Sequence, residues 1–313
     1  MDSSHASDCT PFARLEAPTA TQPTRLAIVG DSHVAARATG TDRQFEHTAP
    51  WLRRVVDDVN RRDVDVLGFV GDLTKDGEPW NVDLVAEILD GLHMPYVSIP
   101  GNHDVAQTDT AEQTSYTSFI ERFPPGEVPF HERYGGVDLI GLNSVMPDKR
   151  VDDDQLEWLD TTLSDADAPV VLVHHNFPAF TAQLAEFKHS LGEDASPPAT
   201  IENADALADV LAHHDAGVVF TGHRHRPGLA TYQGVTEVAT AATCVFPHSY
   251  LVATIDGRGT TIRHVPIRSR QGAEASFALQ QEQGNPVKAT LAAIHLSQQP
   301  LREEWTPDDH SAQ

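Results

Sequence analysis

Short apolar segments of strand length recur along the first two thirds of the chain. They are rich in β-branched residues, and each ends abruptly at a glycine or a polar residue, which is typical of buried strands. These predicted strands cover residues 25–30, 64–71, 95–101, 137–143, 169–173 and 216–222.

Longer stretches with apolar residues at helical spacing lie between these segments. They predict helices over residues 50–62, 80–92, 152–163 and 203–213. Alternating strands and helices indicate βαβ units built on a parallel or mixed sheet.

The pattern changes after Gly222, where short alternating runs are separated by glycines. Strands are predicted at 229–232, 234–240, 249–255 and 260–267, and the last two flank a hairpin turn. The chain is therefore expected to be α/β in its first two thirds and mostly antiparallel β after that.

Two long connections interrupt this order. Residues 105–136 contain one candidate helix, at 112–122, and residues 176–200 are polar and end in a proline-rich segment. Connections of this length inside a compact domain usually form functional lids or ordered insertions, and we expect them to set substrate choice.

The two ends of the chain differ from its centre. Residues 1–24 lack a basic start followed by an apolar run, so they predict a disordered or extended arm rather than a secretory signal. The main domain is expected over 25–268. The extension at 269–313 contains a candidate helix at 287–296, which could serve packing or a homodimer.

Composition limits the class of partner. The formal net charge is −24, and only four of the 22 basic residues are lysines, so a nucleic-acid-binding surface is not expected. The sequence has no run of about 18 apolar residues, so it predicts no membrane span. Two cysteines, Cys9 and Cys244, are too few for a disulfide framework, which favours a reducing cytoplasm. Cys244 is expected to be a small buried hydrophobic residue.

The acidic, lysine-poor composition predicts a halophilic protein. In about 1 M salt the Debye length falls to roughly 3 Å, so neighbouring carboxylates barely repel each other. We therefore expect the midpoint of thermal unfolding, followed by circular dichroism, to rise between low salt and molar KCl. Greatest stability at low ionic strength, with loss of structure in molar KCl, would refute the halophilic interpretation.

Polar residues follow five of the predicted strands at the point where each strand ends. In open α/β sheets this edge is where ligands bind. The residues are Asp31 and His33; Asp72; Asn102, His103 and Asp104; His174 and His175; and His223 and His225.

These side chains suit metal binding. Carboxylate, imidazole and amide groups without a thiolate favour Mn, Fe, Zn, Co or Ni. Two ions sharing a carboxylate would use seven of these residues as ligands, more than one ion needs. The seven are Asp31, His33, Asp72, Asn102, His174, His223 and His225. Two such ions stabilise an in-line displacement at phosphorus, and a hydroxide bridging them is a nucleophile at neutral pH.

The five motifs, in this order, resemble the calcineurin-like metallophosphoesterase superfamily over residues 25–267. They are Asp31-x-His33, Gly71-Asp72, Gly101-Asn102-His103-Asp104, His174 and Gly222-His223-x-His225. The resemblance implies a four-layer αββα sandwich with the metals at the strand ends, so that 25–268 would be a metallophosphoesterase domain.

The resemblance also implies a role for each motif residue. Asp31, His33 and His225 would hold the first metal, and Asn102, His174 and His223 the second, with Asp72 bridging the two. His103 would stabilise the transition state or act as general acid, and Asp104 would orient it. His174 is favoured over His175 as the ligand, but the sequence leaves both open. Arg224 and Arg226 could contact a substrate phosphate or lie in solvent.

Within the superfamily the pattern most resembles class III cyclic-nucleotide phosphodiesterases and glycerophosphodiesterases. The predicted function is hydrolysis of a small organic phosphate, preferably a diester. A phosphomonoesterase and a catalytically silent metal-binding scaffold are the alternatives, and the acidic composition weighs against a nuclease.

Overall fold

The computed structural model describes residues 11–105, 113–145, 148–193 and 200–297. In these residues twelve strands form two six-stranded sheets. In chain order the strands are β1 (Ala13–Leu15), β2 (Thr24–Val29), β3 (Val66–Val70), β4 (Tyr96–Ile99), β5 (Phe130–Tyr134), β6 (Val137–Gly141), β7 (Pro169–Val173), β8 (Val218–Thr221), β9 (Gly228–Tyr232), β10 (Val235–Ala239), β11 (Ser249–Asp256) and β12 (Gly259–Pro266).

Eight helices accompany the sheets in the described part of the chain. They are α1 (Phe45–Val59), α2 (Pro79–Leu89), α3 (Tyr116–Arg122), α4 (Asp153–Leu163), α5 (Pro178–Ser190), α6 (Ala204–His213), α7 (Arg270–Gln283) and α8 (Pro286–Ser297).

Both sheets are mixed. The first has the order β1-β12-β11-β2-β3-β4, and the second β5-β6-β7-β8-β10-β9. In the first sheet β2, β3 and β4 are parallel neighbours, as are β6, β7 and β8 in the second. The carboxyl ends of these parallel strands therefore point to one edge of each sheet.

Three apolar cores separate the layers. One lies between the two sheets and includes Leu26 and Leu139. The second packs α1 and α2 against the first sheet, and the third packs α4 and α6 against the second sheet. Helix, sheet, sheet and helix therefore follow one another, which confirms the predicted αββα sandwich.

The structure departs from the predicted elements in the long connections. Residues 176–200 were expected to be a polar loop, but α5 occupies 178–190 and buries only Phe180, Thr181 and Ala185. So small a buried face leaves little periodicity in the sequence. The structure also adds β5 and α7, while the helix predicted at 287–296 is confirmed by α8.

The N-terminal arm is extended from residue 11 onward. Phe12 is buried, and β1 pairs with β12, so this part of the arm is an edge strand of the first sheet. Residues 1–10 lie outside the described residues, as do 106–112 and 298–313. Among the helices of the described segments, none is both long and apolar enough to cross a bilayer.

The buried hydroxyl of Tyr250 offers a test of how β11 is held against α1. It donates a hydrogen bond of 2.6 Å to Asp58 Oδ2. We expect Tyr250→Phe to lower the free energy of unfolding by about 2 kcal/mol, because a hydrogen bond to a charged group is lost. The measurement is urea denaturation. Tyr134→Phe is the control, since its hydroxyl bonds to no described residue. Equal stability of the two variants would contradict the assignment.

Candidate metal centre

The loops that follow β2, β3, β7 and β8 meet at one edge of the sandwich. Within the first sheet, the Asp31 amide donates to Gly71 O at 3.1 Å and the His33 amide to Asp72 O at 2.9 Å. Between the sheets, the His223 amide donates to Asp31 Oδ1 at 2.9 Å. These backbone contacts place polar side chains from both sheets around a shared centre.

Two glycines allow this approach. A Cβ on Gly101 would lie 2.1 Å from the Asp72 amide nitrogen, and one on Gly71 would lie 2.5 Å from His174 Nδ1. Gly71 also has a φ of +89°, a conformation that glycine adopts at little cost. No larger residue fits at either position without moving the candidate ligands.

Five candidate ligands have a left-handed backbone, which costs a non-glycine residue about 1 kcal/mol or more. Such strain persists only where the surrounding structure imposes it, and it concentrates at functional sites. The φ values are 52° at Asp31, 44° at His33, 53° at Asp72, 66° at His223 and 54° at His225.

A first ligand group contains Asp31, His33, Asp72 and His225, whose donor atoms all lie within 4.8 Å of one another. His33 Nε2 is 3.0 Å from His225 Nε2 and 3.5 Å from Asp72 Oδ2, and His225 Nε2 is 3.4 Å from Asp31 Oδ1. Ligands bound about 2.1 Å from one ion lie roughly 3 to 3.5 Å apart, so this group fits a single ion.

A second ligand group lies on the other side of Asp72. His174 Nε2 is 3.1 Å from Asn102 Oδ1 and 3.5 Å from Asp72 Oδ1. The His223 ring lies 5.2 Å from the His174 ring. The two oxygens of the Asp72 carboxylate therefore face two different ligand groups.

The structure places His174 and His175 differently. His174 Nδ1 contacts Val70 O at 2.8 Å, which turns Nε2 toward Asn102 and Asp72. His175 Nδ1 instead contacts Ser144 Oγ at 3.1 Å, although its ring lies 4.6 Å from that of His223. His175 Nε2 is nevertheless buried without a hydrogen-bond partner in the described residues, and donor atoms of His174, His175 and His223 lie within 4.8 Å of one another. Both histidines therefore stay candidate ligands, as the sequence left them.

Burial sets the protonation of the centre. It lowers the pKa of His33, His223 and His225 well below the ordinary value, and it raises the pKa of Asp31 and Asp72. Neutral imidazoles offer free lone pairs, and the buried carboxylates need positive charge. Asp31 Oδ2 and His33 Nδ1 are buried without a hydrogen-bond partner in the described residues. This donor set fits divalent metal ions.

Residues 24–227, about two thirds of the chain, match the family described as calcineurin-like phosphoesterase. The chain belongs to this family. Calcineurin-like phosphoesterases hydrolyse phosphoric esters with divalent metals, so the predicted family and reaction class are confirmed.

Curated relatives carry several names. A probable cyclic nucleotide phosphodiesterase of Synechococcus is 27% identical over 201 residues, which are 61% of this chain and 72% of the relative. The human serine/threonine-protein phosphatase CPPED1 is 30% identical over 53% of this chain and 54% of its own length. The glycerophosphodiester phosphodiesterase GpdQ of Enterobacter lignolyticus is 26% identical over 57% of this chain and 62% of its own length. The matches thus span between about half and three quarters of these relatives.

Solved structures support the family fold. A dimetal phosphatase from Danio rerio superposes with a TM-score of 0.58 at 16% identity, covering 78% of this chain and 96% of that one. A purple acid phosphatase from yellow lupin gives a TM-score of 0.55 at 14% identity, covering 82% and 52% of the two chains. At these identities the likeness concerns the fold alone.

His103 lies beside the ligands of this phosphoesterase but is more exposed than they are. Its side chain is 30% exposed, and its ring lies 4.7 Å from the His33 ring. Its Nδ1 is 2.9 Å from Asp76 Oδ1 and 2.8 Å from Lys75 O. Asp76, which sequence reasoning missed, therefore orients this ring.

Asp104 does not make the contact predicted for it. Its buried carboxylate accepts hydrogen bonds from the amides of Leu73, Thr74 and Gly101 at 2.8–3.1 Å. Burial raises its pKa to about 6. Asp104 thus fixes the path of the loop that carries Asp72. The prediction that it orients His103 was wrong, because its oxygens are taken up by these backbone amides.

Cations gather around the ligands in spite of the acidic composition. The positive charges of Arg43 and Lys288 act on Asp31, opposing the effect of burial on its pKa. Lys288 belongs to α8, and burial lowers its pKa to about 8. It lines a narrow crevice with Arg224 and Arg226. The C-terminal extension therefore contributes to the surroundings of the centre.

The number of metal ions bound per chain tests whether Asp72 serves both ligand groups. We expect the wild type, dialysed against Mn²⁺ and analysed by plasma mass spectrometry, to hold two ions per chain. Asp72→Asn should hold one or none, because both positions lose a negative ligand. Asp76→Asn is the matched control and should keep both ions, since Asp76 contacts His103 and Lys75 instead. Two tightly bound ions in Asp72→Asn would contradict the bridging role.

Proposed function

We propose that the chain hydrolyses phosphodiesters of small organic molecules at a centre of two metal ions. The observation that carries this proposal is Asp72, whose Oδ1 and Oδ2 each lie 3.5 Å from a histidine of a different ligand group. A carboxylate shared in this way can bridge two metal ions, and two such ions stabilise the attacking and leaving oxygens of an in-line displacement.

The ligands divide around Asp72. We assign Asp31, His33 and His225 to the first position, and Asn102, His174 and His223 to the second. Their oxygen and imidazole donors suit Mn, Fe, Zn, Co or Ni. When bound, the two ions supply a deprotonated water at neutral pH and neutralise charge on the phosphate oxygens.

His103 is assigned as the general acid for the leaving group. Lys75 O and the Asp76 carboxylate both accept from Nδ1, so Nδ1 carries a proton. Burial raises the pKa of Asp76, but hydrogen bonds from Lys75 and His103 lower it more, so Asp76 is ionised at neutral pH. Asp76 and Lys75 O together fix the orientation of the His103 ring. Nε2, which contacts no described residue, can then donate its proton to the departing alkoxide.

The charges around the centre favour an anionic small molecule. Arg43, Arg224 and Lys288 surround the ligands, whereas the chain as a whole carries a net charge of −24. A long nucleic acid would meet an acidic surface beyond these cations. The names of the cyclic nucleotide and glycerophosphodiester relatives support a small diester. We further propose that the enzyme works in the cytoplasm.

The test is hydrolysis of bis-p-nitrophenyl phosphate by the Mn²⁺-loaded enzyme. We expect a higher kcat/KM for this diester than for p-nitrophenyl phosphate, and a fall of roughly 100-fold or more in Asn102→Ala, because the ions position the reacting groups. Faster hydrolysis of the monoester would favour the phosphomonoesterase. A fully loaded but inactive protein would favour the silent scaffold.

The role of His103 has its own test, because nitrophenolate is stable enough to leave without a proton. We expect His103→Asn and Asp76→Asn to lower kcat far more for a methyl or alkyl phosphodiester than for the nitrophenyl diester. Asp138→Asn, which alters a carboxylate bonded to His131 on the second sheet, is the control. An equal loss with both leaving groups would contradict the general-acid role.

A further inference from the structure

The segment that follows β10, residues 240–244, pairs with the start of the loop that carries Asp31 and His33. Ala242 forms a parallel bridge with Gly30, and the Thr243 amide donates to Gly30 O at 3.3 Å. The Thr243 hydroxyl also donates to Ser32 Oγ at 3.1 Å. These contacts fix the next residue, Cys244, beside Asp31 and His33.

The Cys244 side chain is fully buried and forms no disulfide. Its sulfur lies within 4.8 Å of a ring nitrogen of His33 and of His225. These two rings belong to the first ligand group, where their Nε2 atoms are 3.0 Å apart. The thiol and the carboxylates of that group are therefore alternative partners for the same two imidazoles.

Two buried polar atoms of the first ligand group lack hydrogen-bond partners among the described residues. Asp31 Oδ2 and His33 Nδ1, both in fully buried residues, have no hydrogen-bond partner in the part of the chain that the structure describes. Buried polar atoms of this kind require a cation or a water molecule. Two imidazoles and a thiol are donors that soft transition-metal ions prefer.

We propose that Cys244 gives the first metal position a second, soft ligand set, His33–His225–Cys244, which binds strongly thiophilic ions such as Cd²⁺. This inference rests on the proposed metal centre. Hard ions such as Mn²⁺ use the oxygens of Asp31 and Asp72 with the two imidazoles, because hard ions prefer oxygen ligands. A soft ion forms a metal–sulfur bond, and the thiol proton passes to solvent.

The consequence is control of activity by the metal that is available. A soft ion held by Cys244 occupies His33 and His225, the two imidazoles that a hard ion shares with Asp72. The ratio of the protein's affinity for Cd²⁺ to its affinity for Mn²⁺ therefore depends on Cys244. Cys244→Ser should lower this ratio at least tenfold, because the hydroxyl is a hard donor.

The chain has only two cysteines, Cys9 and Cys244, which allows matched variants. Metal-free Cys9→Ser and Cys244→Ser each keep one thiol and are titrated with Cd²⁺. We expect the ultraviolet charge-transfer band of a cadmium–thiolate bond in Cys9→Ser, saturating at one thiolate per chain, and no band in Cys244→Ser. Cys244→Ala should behave like Cys244→Ser, and circular dichroism shows that each variant is folded.

Two results separate this inference from the proposed function. If Cys9→Ser binds Mn²⁺ and hydrolyses the diester but shows no cadmium–thiolate band, the role of Cys244 is refuted and the proposed function stands. If the protein binds neither Mn²⁺ nor Cd²⁺, both are refuted. Should the Cys244 variants fail to fold, the presence or absence of the band in Cys9→Ser still decides the question.

Discussion

The burial of Asp72 between two groups of imidazoles is the constraint on which the rest of the site depends. Its carboxylate is only 1% exposed, and burial raises its pKa. Burying an ionised carboxylate is costly unless positive charge and hydrogen bonds offset the cost. The His103 amide supplies one hydrogen bond, at 2.8 Å to Oδ1. Burial lowers the pKa of His33 and His225, so these two rings supply lone pairs but no charge, which leaves negative charge for bound cations to offset.

The fold meets this constraint by joining two sheets at their edges. Neither sheet alone holds both ligand groups, because β2 and β3 lie in the first sheet while β7 and β8 lie in the second. The apolar core between the sheets holds these edges together, and it thereby stabilises a cluster that is unfavourable by itself. The left-handed backbone at Asp31 and Asp72 is a second local cost that the same packing must offset.

The sequence predicts those parts of the site that depend on residues close together along the chain. Asp31 directly follows a buried strand and a glycine, so its place at the sheet edge can be read from a few neighbouring residues. The choice between Asp76 and Asp104 as the partner of His103 depends on the path of residues 73–77, in which the amides of Leu73 and Thr74 donate hydrogen bonds to Asp104. Cys244 was missed as a neighbour of His33 because they are more than 200 residues apart and meet only through the bridge between Gly30 and Ala242.

Charge in this molecule acts over two distances. The net charge of −24 repels phosphate esters at long range, whereas Arg43 and Lys288 act on Asp31 at short range. Salt screens exposed charges beyond about one Debye length, roughly 8 Å at physiological ionic strength and 3 Å at 1 M, but it screens partly buried pairs much less. High salt therefore removes the repulsion of the acidic surface and largely preserves the attraction of the cations at the centre. An acidic surface and an anionic substrate are compatible for this reason, provided that the cations lie as close to the ligands as Lys288 does in α8.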